Sequence, residues 1–153
     1  MKGKLPKEGM VQVSAQCSHF LTGRIPLKME DPGSCHISCE VENRQFLSCL
    51  LDQGSGISLM AQKTADEIGL LKRIKLANVH LKLADQSIIK LRGIVEDVLV
   101  KVDKFILLVD FMILDMEEDK NMPILFGRPF LAIGDVTLHA RDNTVTFRSM
   151  ERR

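Results

Sequence analysis

Asp52 ends an apolar run, Phe46-Leu47-Ser48-Cys49-Leu50-Leu51, and is followed by Gln53-Gly54-Ser55-Gly56. A carboxylate at the edge of an apolar core is costly unless it is paired or used. The glycine two positions on lets backbone pass close beside it. If two such loops meet, carboxylates a few ångströms apart cannot both ionise, and they share one proton. The ionised group then draws a proton from a water poised on an amide carbonyl, while the protonated group hydrogen-bonds the carbonyl oxygen. That chemistry hydrolyses a peptide bond with neither a metal nor a nucleophilic side chain. Taken alone, however, Asp-Xaa-Gly more often caps a helix or shapes a turn, and the tripeptide by itself does not separate these roles.

Other reactive side chains form no complete set. Cys17, His19, Cys35, His36 and Cys39 offer sulfur and imidazole ligands, but their spacing fits no zinc knuckle or finger, so no metal is expected. His80 and His139 stand on strand-like sequence with no carboxylate or cysteine at catalytic spacing. The acidic run Glu117-Glu118-Asp119 reads as a solvated loop.

The elements that would position Asp52 are mostly strands. Cys35, Ile37, Cys39 and Val41 alternate with polar residues, and Phe46 to Leu51 reads as the antiparallel partner across Glu42-Asn43-Arg44. Ser58 to Leu70 has the composition of a short helix, with Gly69 as its stop signal. Val79, Leu81 and Leu83 alternate, Ala84-Asp85-Gln86-Ser87 interrupts, and alternation resumes from Ile88 to Val102: strand, tip, strand. Phe105 to Ile113 is a further strand, apolar on both faces through Leu108, which predicts a place central in the sheet or between layers. Pro123 to Phe126 is a short strand ended by Gly127, with a helical turn expected over 128–133. Val136 to Ala140 and Thr144 to Arg148 form a terminal hairpin. Residues 1–30 are expected to be a partly ordered arm, loosest up to about residue 14, and residues 31–150 one domain whose core begins near Gly33.

Bulk properties agree with one globular domain. In 153 residues, 21 basic and 20 acidic side chains nearly cancel, so neither nucleic acid nor an anionic membrane is an expected partner. The most apolar run, Phe105 to Leu114, is too short to span a bilayer as a helix. The basic start MKGKLPKEGM leads into no apolar core with a cleavage site, so a cytoplasmic setting with reduced cysteines is expected.

The wider order of motifs carries more than any one of them. DPGSCHISC, FLSCLLDQGSGISLM, LKLADQS, RGIVEDVLVKVDKF, VDFMILDMEED and ILFGRPFLA follow one another over residues 31–132. Together they resemble the retropepsin domain of plant gypsy-type retrotransposon polyproteins, and the likeness extends upstream through Gln16-Cys17-Ser18 and downstream to the last hairpin. The resemblance implies a mostly β, single-domain closed barrel of the acid protease fold with one or two short helices. It implies an aspartic endopeptidase that processes a polyprotein as a homodimer, without a cofactor. Asp52 would be the catalytic acid and base, Gly54 the close-approach residue, and Ser55 a hydrogen-bond donor to the carboxylate. Ala84, Asp85 and Gln86 would form the flap tip over a bound peptide, and Ile124, Leu125 and Gly127 the strand that threads behind the catalytic loop. Arg128 is a candidate to pair with a carboxylate across the dimer and equally a candidate for a surface arginine at a helix start. Gln53 stands where many members carry Thr or Ser, Gly56 where Ser is usual, and Phe126 where an aliphatic residue is usual. These departures motivate an alternative, a catalytically inactive retropepsin-like domain kept for dimerisation or peptide binding.

Overall fold

The computed structural model describes residues 8–13, 17, 34–52, 55–83, 85–115, 124–127, 136–139 and 144–147. Gln53, Gly54, Ala84, the acidic run 117–119, Arg128 and the helical turn expected over 128–133 lie outside them, as does the side chain of Cys35.

Alternation along residues 34–52 becomes a hairpin, β2 (Ser34–Val41) and β3 (Arg44–Asp52). Its turn is shorter than expected: Glu42 and Asn43 alone make it, both at positive φ (49° and 75°), which matches the twist of the flanking strands. A second hairpin joins β6 (Ile88–Val102) to β7 (Phe105–Leu114). Asp110, the charge that interrupts the apolar run of β7, accepts the Asp97 N–H at 2.9 Å where the register of β6 slips between Val95 and Val98. The carboxylate thus satisfies a donor that the bulge removes from the ladder.

Two short strands complete a ring. Strand β4 (Leu59–Ala61) runs parallel to β7 and antiparallel to β8 (Ile124–Phe126), and β8 runs parallel to β3. With β2 paired to both β3 and β6, the order β6-β2-β3-β8-β4-β7 closes on itself through the β6–β7 pairing. The expected mostly β closed barrel is therefore what forms. Strand β5 (Asn78–Lys82) pairs with the first residues of β6 outside the ring, and β1 (Glu8–Gln12) pairs with β5. The terminal hairpin is β9 (Val136–His139) with β10 (Thr144–Phe147).

Apolar clusters lie on either side of the ring wall. Leu51, Met60, Phe111, Ile113 and Phe126 belong to the one that fills the ring, together with Cys39, Val41, Val98 and Val100. Their chain neighbours Leu50, Leu59, Met112, Leu114 and Leu125 belong to the second, with Val79, Leu81 and Leu83. The wall around the end of β3 is thus covered on both faces.

Three expectations need correction. The helix expected from Ser58 is only α1 (Gln62–Glu67), because Leu59–Ala61 is captured as a strand between β7 and β8, where all its residues are buried. Gly69 does act as the stop, at φ 80°, and a 3₁₀ turn over Leu70–Arg73 follows. Strand β7 is central, paired with both β6 and β4, but its early half does not lie between layers: Ile106 is 63% exposed and Leu108 47%, and both faces become buried only from Val109. Finally, the packed core does not begin near Gly33. Glu8–Gln12 is a strand, and Val13 and Cys17 are buried in the second cluster.

Phe111 and Ile106 should therefore respond differently to substitution. Phe111→Ala is expected to cost about 3–5 kcal/mol, and Ile106→Lys to stay within about 0.5 kcal/mol, both read from urea midpoints at constant slope.

Candidate active site

Asp52 is the last residue of β3 and pairs with Ser34, the first residue of β2. Cys49, Leu50 and Leu51 before it are buried, alternating between the clusters, so the strand delivers the carboxylate to the rim of both. In the single chain Asp52 is only 1% exposed.

The loop that follows is held by its own polar groups. The Ser55 N–H donates to the Asp52 carbonyl at 3.1 Å. Ser55 Oγ donates to the Ile57 carbonyl at 2.7 Å and accepts the Ile57 N–H at 3.2 Å. Ser55 was expected to donate to the carboxylate; here its hydroxyl proton goes to Ile57, and the residue shapes the loop. Ser58 then ties the loop to two strands: its carbonyl accepts the Met112 N–H at 2.9 Å, and its Oγ accepts the Gly127 N–H at 3.0 Å. Strand β8 passes directly behind this loop. A Cβ at Gly127 would run into the Ile57 carbonyl oxygen and lie 2.8 Å from the Ser55 carbonyl oxygen. Only glycine lets the two backbones approach so closely. The threading expected of Ile124, Leu125 and Gly127 is thus seen in the geometry.

The segment expected to form the flap is the β5–β6 hairpin. The Leu83 N–H donates to the Ser87 carbonyl at 2.9 Å, and the Gln86 N–H to the Leu83 carbonyl at 3.0 Å. Gln86 sits at φ 75°, a conformation that costs a side-chain-bearing residue about 1–2 kcal/mol. Asp85 helps offset this by accepting both the Ser87 N–H (2.9 Å) and the Ser87 hydroxyl (2.5 Å). The tip residues Asp85 and Gln86 thus form a tight turn without a glycine. Below it, Leu83 and Leu81 share the second cluster with Leu50, Ile57 and Leu59 around the loop that follows Asp52.

Cys17 was weighed in the sequence only as a metal ligand, yet its side chain reaches this site. It is fully buried, shares a hydrogen bond with Ser55 and feels the charge of Asp52. Burial first, and then the Asp52 carboxylate, push its thiol well above the ordinary range, and the Ser55 hydrogen bond offsets only part of this. No local period marks Cys17, which lies between polar Gln16 and Ser18. Ser58, also unremarked in the sequence, had a faint signal as a hydroxyl flanked by Ile57 and Leu59. Two further thiols are structural: Cys39 and Cys49 touch across the β2–β3 hairpin at 3.1 Å, and the shared hydrogen bond and burial hold Cys49 protonated. Among the described residues no group of three or more His, Cys, Asp or Glu is arranged to hold a metal.

Phe126 also finds its place. The ring is buried and packs at a tilt against Phe111, with centroids 5.6 Å apart, inside the ring of strands. It lies in the core, next to Gly127 in sequence.

Comparison with solved structures finds the retroviral protease-like domain of Ddi1 from Leishmania major. It matches with a TM-score of 0.60 and 15% identity, over 78% of this chain and 92% of that one. The chain therefore has a retropepsin-like fold. No protein-family model and no curated protein matches it.

The junction between loop and strand makes Gly127 and Ser58 sensitive positions. Gly127→Ala is expected to destabilise by about 1–3 kcal/mol through forced displacement of backbone. Ser58→Ala should cost about 1–3 kcal/mol by leaving a buried N–H unsatisfied. Thermal unfolding of the two variants checks both.

Proposed function

We propose that the chain is an aspartic endopeptidase in which two copies each contribute one Asp52. The observation that carries this reading is the placement of Asp52 at the buried end of β3, in a loop that β8 threads, within a retropepsin-like fold. Apposed carboxylates share one proton, so that one activates water and the other polarises the scissile carbonyl. An extended peptide would lie between this pair and the flap, whose tip includes Ala84, Asp85 and Gln86. The resemblance of residues 31–132 to the retropepsins of plant gypsy-type polyproteins supports a polyprotein substrate.

The second reading is a catalytically inactive domain kept for dimerisation or peptide binding. The closure of Asp52 in the single chain favours it, as does the exposed Gly56; the sequence departure at Gln53 supports it too. The accommodation of Phe126 in the core removes one of the departures that motivated it.

A peptide library decides between them. Wild-type protein should cleave at mildly acidic pH and lose activity as pH rises, because the shared proton is lost and both carboxylates ionise. Cleavage should be suppressed by pepstatin-like inhibitors and fall to background in Asp52→Asn. No cleavage by a verified dimer whose Asp52 is open to solvent reagents would leave only the second reading.

A further inference from the structure

Strand β6 pairs with two stretches of the 75–82 segment in different registers. Near its start it pairs with β5 from Lys82↔Ile88 to His80↔Lys90. Further along, Lys75 and Ile94 exchange backbone hydrogen bonds in both directions, at 2.8 and 2.9 Å. Gly93 permits this second crossing, because a Cβ there would lie 2.6 Å from both Ile74 Cγ1 and the Lys75 carbonyl oxygen. Between the two pairings residues 76–79 run opposite residues 91–93, and the extra residue opens the ladder. The opening is a cleft of about 570 Å³, with Leu76, Ala77 and Asn78 on one side and Lys90, Leu91 and Arg92 on the other.

Charge is segregated around this cleft. Beyond the Lys75↔Ile94 crossing, Lys75 is tied to Glu96 at 2.7 Å, and Arg73 to Glu42 and to the carbonyls of Glu96 and Asp97. Those cations and carboxylates answer one another. On the hairpin itself, alternation puts His80, Lys82, Lys90 and Arg92 on the solvent face, while Val79, Leu81 and Leu91 are buried. Lys90 and Arg92 are both exposed and stand two residues apart along the cleft. Among the described residues, neither they nor Lys82 enter an ion pair, and Asp85 at the hairpin tip is turned to Ser87. Apolar side chains stand among these charges. Leu76 at the lip of the cleft is 82% exposed, and Met10 and Ile88 are more than half exposed. Met10, His80 and Lys90 form one row across β1, β5 and β6, with Lys82 and Ile88 in the next. Exposed apolar groups set among charges of one sign mark a recognition surface.

We propose that the solvent face of the β5–β6 hairpin and the cleft beside it bind an extended acidic peptide segment of a partner protein, with carboxylates on Lys82, Lys90 and Arg92 and an aliphatic side chain against Leu76. The cations select an anion, and the aliphatic lip selects a peptide. A nucleic acid strand would gain by stacking on aromatic rings, and no large exposed apolar side chain among the described residues is aromatic. The surface lies on the face of the hairpin opposite to Leu81 and Leu83, which pack in the second cluster. It therefore serves whether or not Asp52 is catalytic.

Fluorescence anisotropy of a short labelled peptide, glutamates broken by two leucines, titrated with the full chain tests this, alongside the same peptide with lysines for glutamates. Only the acidic peptide should bind, and more weakly as salt shortens the screening length from about 30 Å at 0.01 M to about 8 Å at 0.15 M. Lys90→Glu combined with Arg92→Glu should raise Kd about tenfold, as when two exposed attractive pairs become repulsive. The same change of charge at Lys101 and Lys104, by the β6–β7 turn, should leave Kd unchanged, and Leu76→Ser should weaken binding by a smaller factor. Amide chemical shifts of the wild type locate the site without any variant: the peptide should move those of residues 76–78 and 90–92 most. The proposal is overturned if the acidic peptide does not bind, if it moves other amides instead, or if the Lys90 and Arg92 double variant binds as wild type does. It is equally overturned if a single-stranded oligonucleotide or phosphatidylserine vesicles bind more tightly than the peptide at the same salt.

Discussion

Strand β8 can lie between β3 and β4 only because Gly127 carries no side chain where the backbone of the 55–57 loop crosses it. The crossing is stitched by one buried hydrogen bond, from the Gly127 N–H to Ser58 Oγ. From it follow the closure of the ring, since β8 is the bridge from β3 to β4, and the fixed path of the loop that begins at Asp52. A side chain at that point would separate the strands and leave the loop without its floor. Positioning the carboxylate and closing the barrel are one packing problem.

Around that crossing the wall of the barrel is buried on both faces, which explains how a carboxylate comes to be enclosed in a single chain. One cluster fills the ring; the other takes in Val79, Leu81 and Leu83 from β5 and the residue after it, together with Val13 and Cys17. Burial of this kind raises the cost of any charge that lacks a role. For the proposed reaction it means that the Asp52 carboxylate has to become accessible before a substrate can meet it. The tip of the β5–β6 hairpin is a tight turn braced by Asp85, with Gln86 in a left-handed conformation.

Much of the barrel was legible where one face of a strand meets core and the other meets water. Strands β2, β5 and the later part of β6 keep a period of two, and they are read correctly. Where both faces are buried the period vanishes. Leu59–Ala61 consists of good helix formers, and only pairing with β7 and β8 makes it a strand, so its sequence pointed the wrong way. On β7 the opposite error arises: Ile106 and Leu108 are apolar yet exposed, because surfaces carry apolar residues too. For the site, Asp52 and Gly127 were legible from the order of the motifs rather than from either residue alone. Cys17 was invisible as a neighbour of Asp52, because a contact across thirty-five positions, from residue 17 to residue 52, leaves no local pattern.

For the proposed endopeptidase a single chain is incomplete: one protomer holds one Asp52, and the proposed chemistry requires two. Sedimentation equilibrium over a wide range of protein concentration tests this most directly. The expected result is a mass that rises with concentration toward twice that of the chain, with the same self-association in Asp52→Asn, because the pairing does not depend on the reaction. A mass that stays at one chain up to the highest concentration would contradict the account, since a strict monomer cannot assemble a two-aspartate site.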